Sequence, residues 1–167
     1  MRSDISFRPI TPEDGAVLVL LHRRAILLDG VRAYPPDVAR SWACGLQPDG
    51  YARSAAAGEA IELALLGPSI AGFCGVRGEE IAGLYVDPAF TRLGIGSALM
   101  RRALKRIAAE GHARARVSAA LSAAGFYEAM GFELVRGRMH ATPGGLSMPV
   151  LEMTRELAAA APAVACC

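Results

Sequence analysis

Apolar and polar positions alternate along this chain with two different periods, and each change of period marks a boundary between elements. Alternation over residues 3–10 predicts a first strand. Thr11-Pro12-Glu13-Asp14 then has the composition of a helix start: a capping threonine, a proline and two acids. The helix is predicted to extend to Leu28, and Pro35-Pro36-Asp37 begins a second, shorter helix that ends at Trp42.

The middle of the chain predicts three consecutive strands and a long helix. Residues 60–66 and 69–76 flank a Gly67-Pro68 turn, and a further apolar run covers residues 80–86. Beyond it, apolar residues recur at the spacing of one helix face. These residues are Ile95, Leu99, Ala103 and Ile107.

The last third of the chain predicts a strand over 113–118, a short helix over 122–130, and strands over 132–140 and 149–156. Antiparallel hairpins combined with a strand–helix–strand crossover predict an α/β fold with one mixed, mostly antiparallel sheet. We expect about six to seven strands and about four helices, in a single domain over residues 1–157. Residues 158–167 are expected to be a frayed, alanine-rich tail that ends in Cys166 and Cys167.

Composition narrows the class of protein. The chain has 167 residues, of which 53% are hydrophobic and 20% are charged, and its formal net charge is +2. That balance gives no reason to expect a nucleic-acid partner. No export signal is recognised, and the apolar runs near the start are shorter than the roughly 20 residues that span a bilayer. A cytoplasmic protein with no membrane partner is therefore expected, and the cysteine spacing predicts no metal site.

The stretch DPAFTRLGIGSALMRRAL, residues 87–104, raises the main functional question, because two glycines open a helix. A phosphate loop of nucleotide hydrolases needs a lysine after its last glycine, and a dinucleotide fingerprint needs a third glycine. Both are missing here. Two alternatives remain open on the residues alone: an anion-binding helix start, with Arg92 at its rim, and an ordinary tight connection.

Three stretches together resemble the GNAT superfamily of acyl-CoA-dependent N-acyltransferases. Residues 91–96, TRLGIG, are similar to the signature Q/R-x-x-G-x-G/A, and IAGLYVDPAF before them resembles the strand that precedes it. GFYEAMGFELV, residues 125–135, resembles a late segment of the family, and FRPITPEDGAVLVLLHRRA is similar to the opening of many members. Thr91 departs from the signature, which has Gln or Arg there, and Ser122 stands where many members have Asn.

The resemblance implies the fold predicted above, acetyl-CoA as co-substrate, no metal, and a set of site residues. Backbone groups of the glycine turn would bind pyrophosphate, and residues 84–86 would pair with the pantetheine arm. Tyr127 would be the general acid, and Glu80 the general base, directly or through water. The implied cofactor-binding residues are Leu84, Tyr85, Val86, Arg92, Leu93, Gly94, Ile95, Gly96, Ser97, Ala98, Ser122 and Tyr127.

The function implied is transfer of an acetyl group to a primary amine by direct attack in a ternary complex, on a small molecule or a peptide. The alternatives are a non-catalytic CoA-binding or sensor module, and an enzyme with another acyl group or acceptor. Homodimers are common among such proteins. Tyr34, Trp42 and Tyr51 are candidate walls of the acceptor site, and Asp29 or Asp37 is the candidate partner of a cationic amine.

Overall fold

A computed structural model describes residues 4–158 and contains a seven-stranded sheet with helices on both faces. The strands are β1 (Ile5–Pro9), β2 (Ala60–Leu66), β3 (Ser69–Arg77), β4 (Glu80–Val86), β5 (Arg114–Ala120), β6 (Glu133–Ala141) and β7 (Ser147–Glu156). The helices are α1 (Gly15–Asp29), α2 (Pro36–Trp42), α3 (Pro48–Ala56), α4 (Ile95–Ala109) and α5 (Ala124–Ala129). Residues 159–167, including Cys166 and Cys167, lie outside the described residues.

The sheet confirms the predicted fold class. Its strand order is β1-β2-β3-β4-β5-β7-β6. Neighbouring strands are antiparallel except β4 and β5, which α4 connects as a parallel crossover. The antiparallel pairs on either side of that crossover make the sheet mixed and mostly antiparallel.

About four helices were predicted and five are observed, and the one that was not foreseen is α3. This helix begins at Pro48 with Asp49 in its first turn, which is a recognisable start signal. Tyr51 is its one buried residue, and the rest of the helix is small or polar. The apolar periodicity that reveals longer helices is therefore absent from its sequence.

The two faces of the sheet bury different helices. On one face, α4 contributes Leu99 and Ile107, both fully buried. On the other, Leu18 and Leu21 of α1 pack with Phe73 of β3. No helix among the described residues has the length and apolar character that a membrane crossing requires.

The feature that positions the site is the separation of β4 from β5. β4 pairs with β3 along most of its length. Toward β5, its pairing is limited to Glu80 with Arg116 and Ile81 with Val117. Beyond these pairs the two strands diverge, and the edge of β4 over residues 82–86 is left without a neighbouring strand within residues 4–158.

Candidate functional site

A cavity of about 590 Å³ follows the open edge of β4. Leu84, Tyr85 and Val86 all line it, although successive side chains of a strand point to opposite faces. The cavity therefore runs along the strand edge and reaches both faces of the sheet. Ala25 and Ile26 of α1 form part of the facing wall.

At one end of the cavity lies the glycine turn, whose backbone has an unusual conformation. Arg92, with φ 66°, is the one non-glycine residue with positive φ in the described chain, and Gly94 has φ 80°. Left-handed residues close together in a turn direct successive backbone N–H groups into one concavity, which suits an anion. The N–H of Ala98 donates to the Gly94 carbonyl at 3.0 Å, so the N–H groups of the first helical turn ahead of it have no intrahelical partner.

The side chains around this turn leave room for a ligand close to the backbone. A Cβ added to Gly96 would lie 3.5 Å from Phe126 and 3.6 Å from Val86, inside the cavity. Arg92 is exposed, lines the cavity and makes no ion pair with any described residue. A helix start with open N–H groups, a glycine and an uncommitted guanidinium has the composition of a phosphate-binding site.

In the middle of the cavity, β4 has a bulge. Gly75 lies opposite Gly83 and Val76 opposite Ile81, so Ala82 is an extra residue without a partner on β3. A Cβ on Gly83 would lie 2.9 Å from the ring of Tyr85, so the glycine lets that ring pack against its own strand. The bulge changes the direction of backbone groups where the cavity passes the strand.

Tyr127 of α5 also lines the middle of the cavity and is 5% exposed. Phe126 and Phe132 hold its ring edge-on, with centroid distances of 5.3 and 5.5 Å. Burial strongly raises the pKa of the Tyr127 hydroxyl, and the neighbouring Cys74 and Tyr85 raise it further. Tyr127 therefore remains a neutral phenol at physiological pH, which is the state of a proton donor.

The other end of the cavity is lined by the last residue of α1, by residues that follow this helix, and by strand β5. Asp29, Arg32 and Trp42 lie there, with Ser118 of β5. Ser118 accepts a hydrogen bond from Arg138 at 3.0 Å. Arg32, Ser118 and the bulged Ala82 were not singled out from the sequence, because their place at the cavity depends on tertiary contacts.

Four side chains that were predicted for catalysis or for the acceptor site do not line the cavity: Tyr34, Asp37, Tyr51 and Glu80. Tyr34 is buried, and its hydroxyl donates to the Pro149 carbonyl at 2.7 Å and accepts from the Leu121 N–H at 2.8 Å. Tyr51 is buried, with its hydroxyl 3.0 Å from Nδ1 of His22. Both rings serve the core instead of the acceptor site. Glu80 is exposed at the start of β4, one residue before the lining begins.

The remaining predicted residues fall into two groups. Trp42 and Ser122 line the cavity through their side chains, and Ser122 is exposed. Leu93, Gly94, Ile95, Ser97 and Ala98 do not line it, and the Ile95 side chain is buried in the core. The backbone N–H of Ala98 is bonded to the Gly94 carbonyl, so among these five residues the predicted backbone contacts to a ligand are limited to the four before it.

A second cavity, of about 700 Å³, lies between the start of β2 and α4. Two of its charged residues are already paired with each other: Arg102 donates two hydrogen bonds to Glu62 at 2.6 and 2.7 Å. Cys74 lines it, but burial raises the pKa of this thiol to about 12, so it is not a nucleophile at neutral pH. Among residues 4–158, no cluster of His, Cys, Asp and Glu is suited to holding a metal ion.

The sequence is similar to those of known acetyltransferases. Residues 58–134 match the model of an acetyltransferase (GNAT) domain. The chain is 26% identical over 134 residues to the uncharacterized N-acetyltransferase YafP of Escherichia coli strain K12, covering 80% of this chain and 85% of that protein.

Two solved structures are similar over nearly the whole chain. The crystal structure of a GCN5-related N-acetyltransferase from Rhodopseudomonas palustris has a TM-score of 0.85 and 26% identity, covering 93% of this chain and 97% of that one. The PaiA N-acetyltransferase of Thermoplasma acidophilum, solved in complex with coenzyme A, has a TM-score of 0.73 and 20% identity, covering 92% of this chain and 99% of that one.

Proposed function

We propose that this chain, which belongs to the GNAT superfamily, transfers an acetyl group from acetyl-CoA to a primary amine by direct attack in a ternary complex. The observation that carries this proposal is that the open edge of β4, the glycine turn and the neutral Tyr127 phenol meet in one cavity. Acetyl-CoA bound along that edge would place its pyrophosphate and its thioester against different parts of the chain.

For the cofactor, we assign the pyrophosphate to the backbone of residues 93–97, with Arg92 at its rim. The unpaired edge of β4 over residues 84–86 would hydrogen-bond the amides of the pantetheine arm, as an added strand does. Ser122, which is exposed and lines the cavity, would contact the same arm. The coenzyme A complex of the structurally similar PaiA protein supports this choice of ligand.

For the chemistry, the amine must first lose a proton, because an ammonium has no lone pair for attack. The neutral nitrogen then bonds to the thioester carbonyl carbon, and a backbone N–H at the β4 bulge would stabilise the oxyanion. Collapse breaks the C–S bond, and Tyr127 would donate its proton to the departing thiolate. The attacking nitrogen, which is positively charged in the tetrahedral intermediate, would lose its second proton, and this proton restores the Tyr127 phenol. The products are an acetamide and free coenzyme A, with one net proton released from the ammonium to solvent.

We propose that Glu80 is the general base and that it accepts the proton of the amine through a water molecule. Glu80 is exposed and lies outside the cavity lining, so no direct contact with the amine is assigned to it. Ile81 beside it does line the cavity. A water-mediated base of this kind has a modest effect, since solvent can replace it.

The test combines a binding measurement with a turnover measurement. Calorimetry with acetyl-CoA reports whether the cofactor binds, and a thiol-release assay across amino acids, polyamines, aminoglycosides and peptides reports transfer. Binding together with release supports the proposal. Binding without release against any amine supports the sensor module instead, and the absence of acetyl-CoA binding overturns both.

A further inference from the structure

The charged side chains at the acceptor end of the cavity have a pattern that the proposed function leaves unexplained. Besides Arg92 at the glycine turn, the charged lining residues are Asp29 and Arg32. Neither forms an ion pair with any residue between 4 and 158. Asp37 and Arg40 of α2 have the same spacing and are also unpaired within the described chain, but they do not line the cavity.

Asp29 and Arg32 are close in sequence, and what distinguishes them is that both line the cavity. Asp29 ends α1 and Arg32 ends the single turn of 3₁₀-helix that follows. Residues three apart on a helix have Cβ atoms about 5–6 Å from each other, which normally permits a salt bridge. Here the carboxylate and the guanidinium stay more than 4 Å apart, and both line the cavity.

Other charged residues lie near Ser118 without lining the cavity, and these are already engaged with each other. Glu152 of β7 accepts from Arg136 at 2.5 Å and pairs with Arg138 at 2.7 Å. These arginines lower the pKa of the Glu152 carboxyl, which keeps it ionised and committed to them. Asp29 and Arg32 therefore remain as one negative and one positive group available to a ligand.

We infer that the acceptor is a small zwitterion that carries a carboxylate a few bonds from its reactive amine, with Asp29 binding the ammonium and Arg32 the carboxylate. This inference rests on the proposed function, since it names the substrate class of the same site. Trp42, half-buried at the cavity wall, would cover the body of the substrate. A polyamine, in contrast, would leave Arg32 facing a second positive charge.

The experiment compares the common L-amino acids with their carboxamides in the thiol-release assay, at saturating acetyl-CoA. The two members of a pair differ in the carboxylate and also in the basicity of the amine, so the ratio of their kcat/KM values is compared between protein variants. A charged hydrogen bond to Arg32 predicts an acid-to-amide ratio about tenfold higher with this guanidinium than without it. Arg32→Gln removes this preference through KM, while kcat and the KM for acetyl-CoA stay unchanged. Arg32→Lys restores part of it, because the positive charge is retained.

Arg40→Gln is the matched control, because Arg40 is an exposed, unpaired arginine on α2 that does not line the cavity. It should keep the full carboxylate preference. An acid-to-amide ratio that is the same in the wild type and in Arg32→Gln, or better turnover of polyamines than of amino acids, would overturn the inference.

A second readout covers the case in which no compound of the panel releases thiol. The thermal stability of the CoA-loaded protein is then measured with each acid and its amide. Greater stabilisation by an acid in the wild type than in Arg32→Gln supports the inference, and equal or absent stabilisation overturns it. Failure of acetyl-CoA itself to bind would instead overturn the proposed function, so the two failures are distinguishable.

Discussion

The two ends of the cavity recognise their ligands by different means. At the glycine turn, the groups that we assign to the cofactor belong mostly to the backbone, and positive φ at Arg92 and Gly94 sets their direction. At the acceptor end, the groups are side chains, Asp29 and Arg32, carried by the end of α1 and the turn after it. Changes at one end should therefore alter the affinity for one substrate only, and changes between the ends should alter the chemical step.

The largest effect is expected between the ends. Tyr127→Phe removes the proposed proton donor while keeping the ring that packs against Phe126 and Phe132. Loss of a positioned acid predicts a fall in kcat of about 100-fold, with both KM values nearly unchanged. Steady-state kinetics with acetyl-CoA and the best amine of the panel measure this. An unchanged kcat would remove Tyr127 from the mechanism.

The next effect is a pH dependence of the free energy of unfolding. It is caused by His22 of α1, the helix that forms part of the cavity wall. The His22 ring lies 3.8 Å, centroid to centroid, from that of Tyr85. Burial lowers the pKa of His22 to about 4, below the value of about 6.5 in an unfolded chain. The unfolded state therefore takes up the proton first as pH falls, and the free energy of unfolding decreases between these two values.

For a single group this decrease amounts to about 2 kcal/mol between pH 7 and pH 5. Urea unfolding at both pH values measures it. His22→Phe should lose the His22 part of the decrease, and His140→Gln, which changes an exposed histidine on β6, should keep it. An identical pH dependence in wild type and His22→Phe would show that His22 is not buried in its neutral form.

A smaller effect is expected at the glycine turn. Gly94 has φ 80°, a conformation that a β-branched side chain disfavours strongly. Gly94→Val should therefore rearrange the turn and raise the KM for acetyl-CoA by about tenfold, the loss of roughly one good hydrogen bond to a charged group. The KM for the amine should not change. A change in both KM values would show that the two ends are not separable.

The smallest effect is expected at Glu80. Glu80→Gln should lower kcat/KM for the amine by only a few-fold, because solvent can replace a base that acts through water. The change should be confined to the acidic side of the pH–rate profile. Glu128→Gln, an exposed acid on α5, is the control. A profile identical to that of the wild type would exclude Glu80 as the base.

The sequence predicted the glycine turn far better than it predicted which side chains line the other end of the cavity. The glycine turn is a local motif, and its left-handed residues need glycine or a permissive neighbour, so the conformation leaves a trace in the residue types. Tyr34 and Tyr51 show the opposite case. Their aromatic character fits a substrate wall equally well, and only tertiary hydrogen bonds, to Pro149 and His22, reveal that they belong to the core.

The same reasoning applies to the fold. Strands β2 to β4 could be predicted closely because Gly67-Pro68 and Arg77-Gly78 mark their turns. Helix α3 could not be recognised from its periodicity, since it buries one large side chain. The divergence of β4 from β5, which creates the cavity, results from the packing of whole elements and has no signature in any short stretch.

The central claim is that acetyl-CoA binds along the open edge of β4 with its pyrophosphate at the start of α4. Hydrogen exchange of the wild-type protein, with and without acetyl-CoA, tests this most directly. Binding at this place should slow amide exchange in peptides that cover residues 82–86 and 92–97, with little change in β2. Protection confined to β2 and the end of α4, which border the second cavity, would contradict this claim.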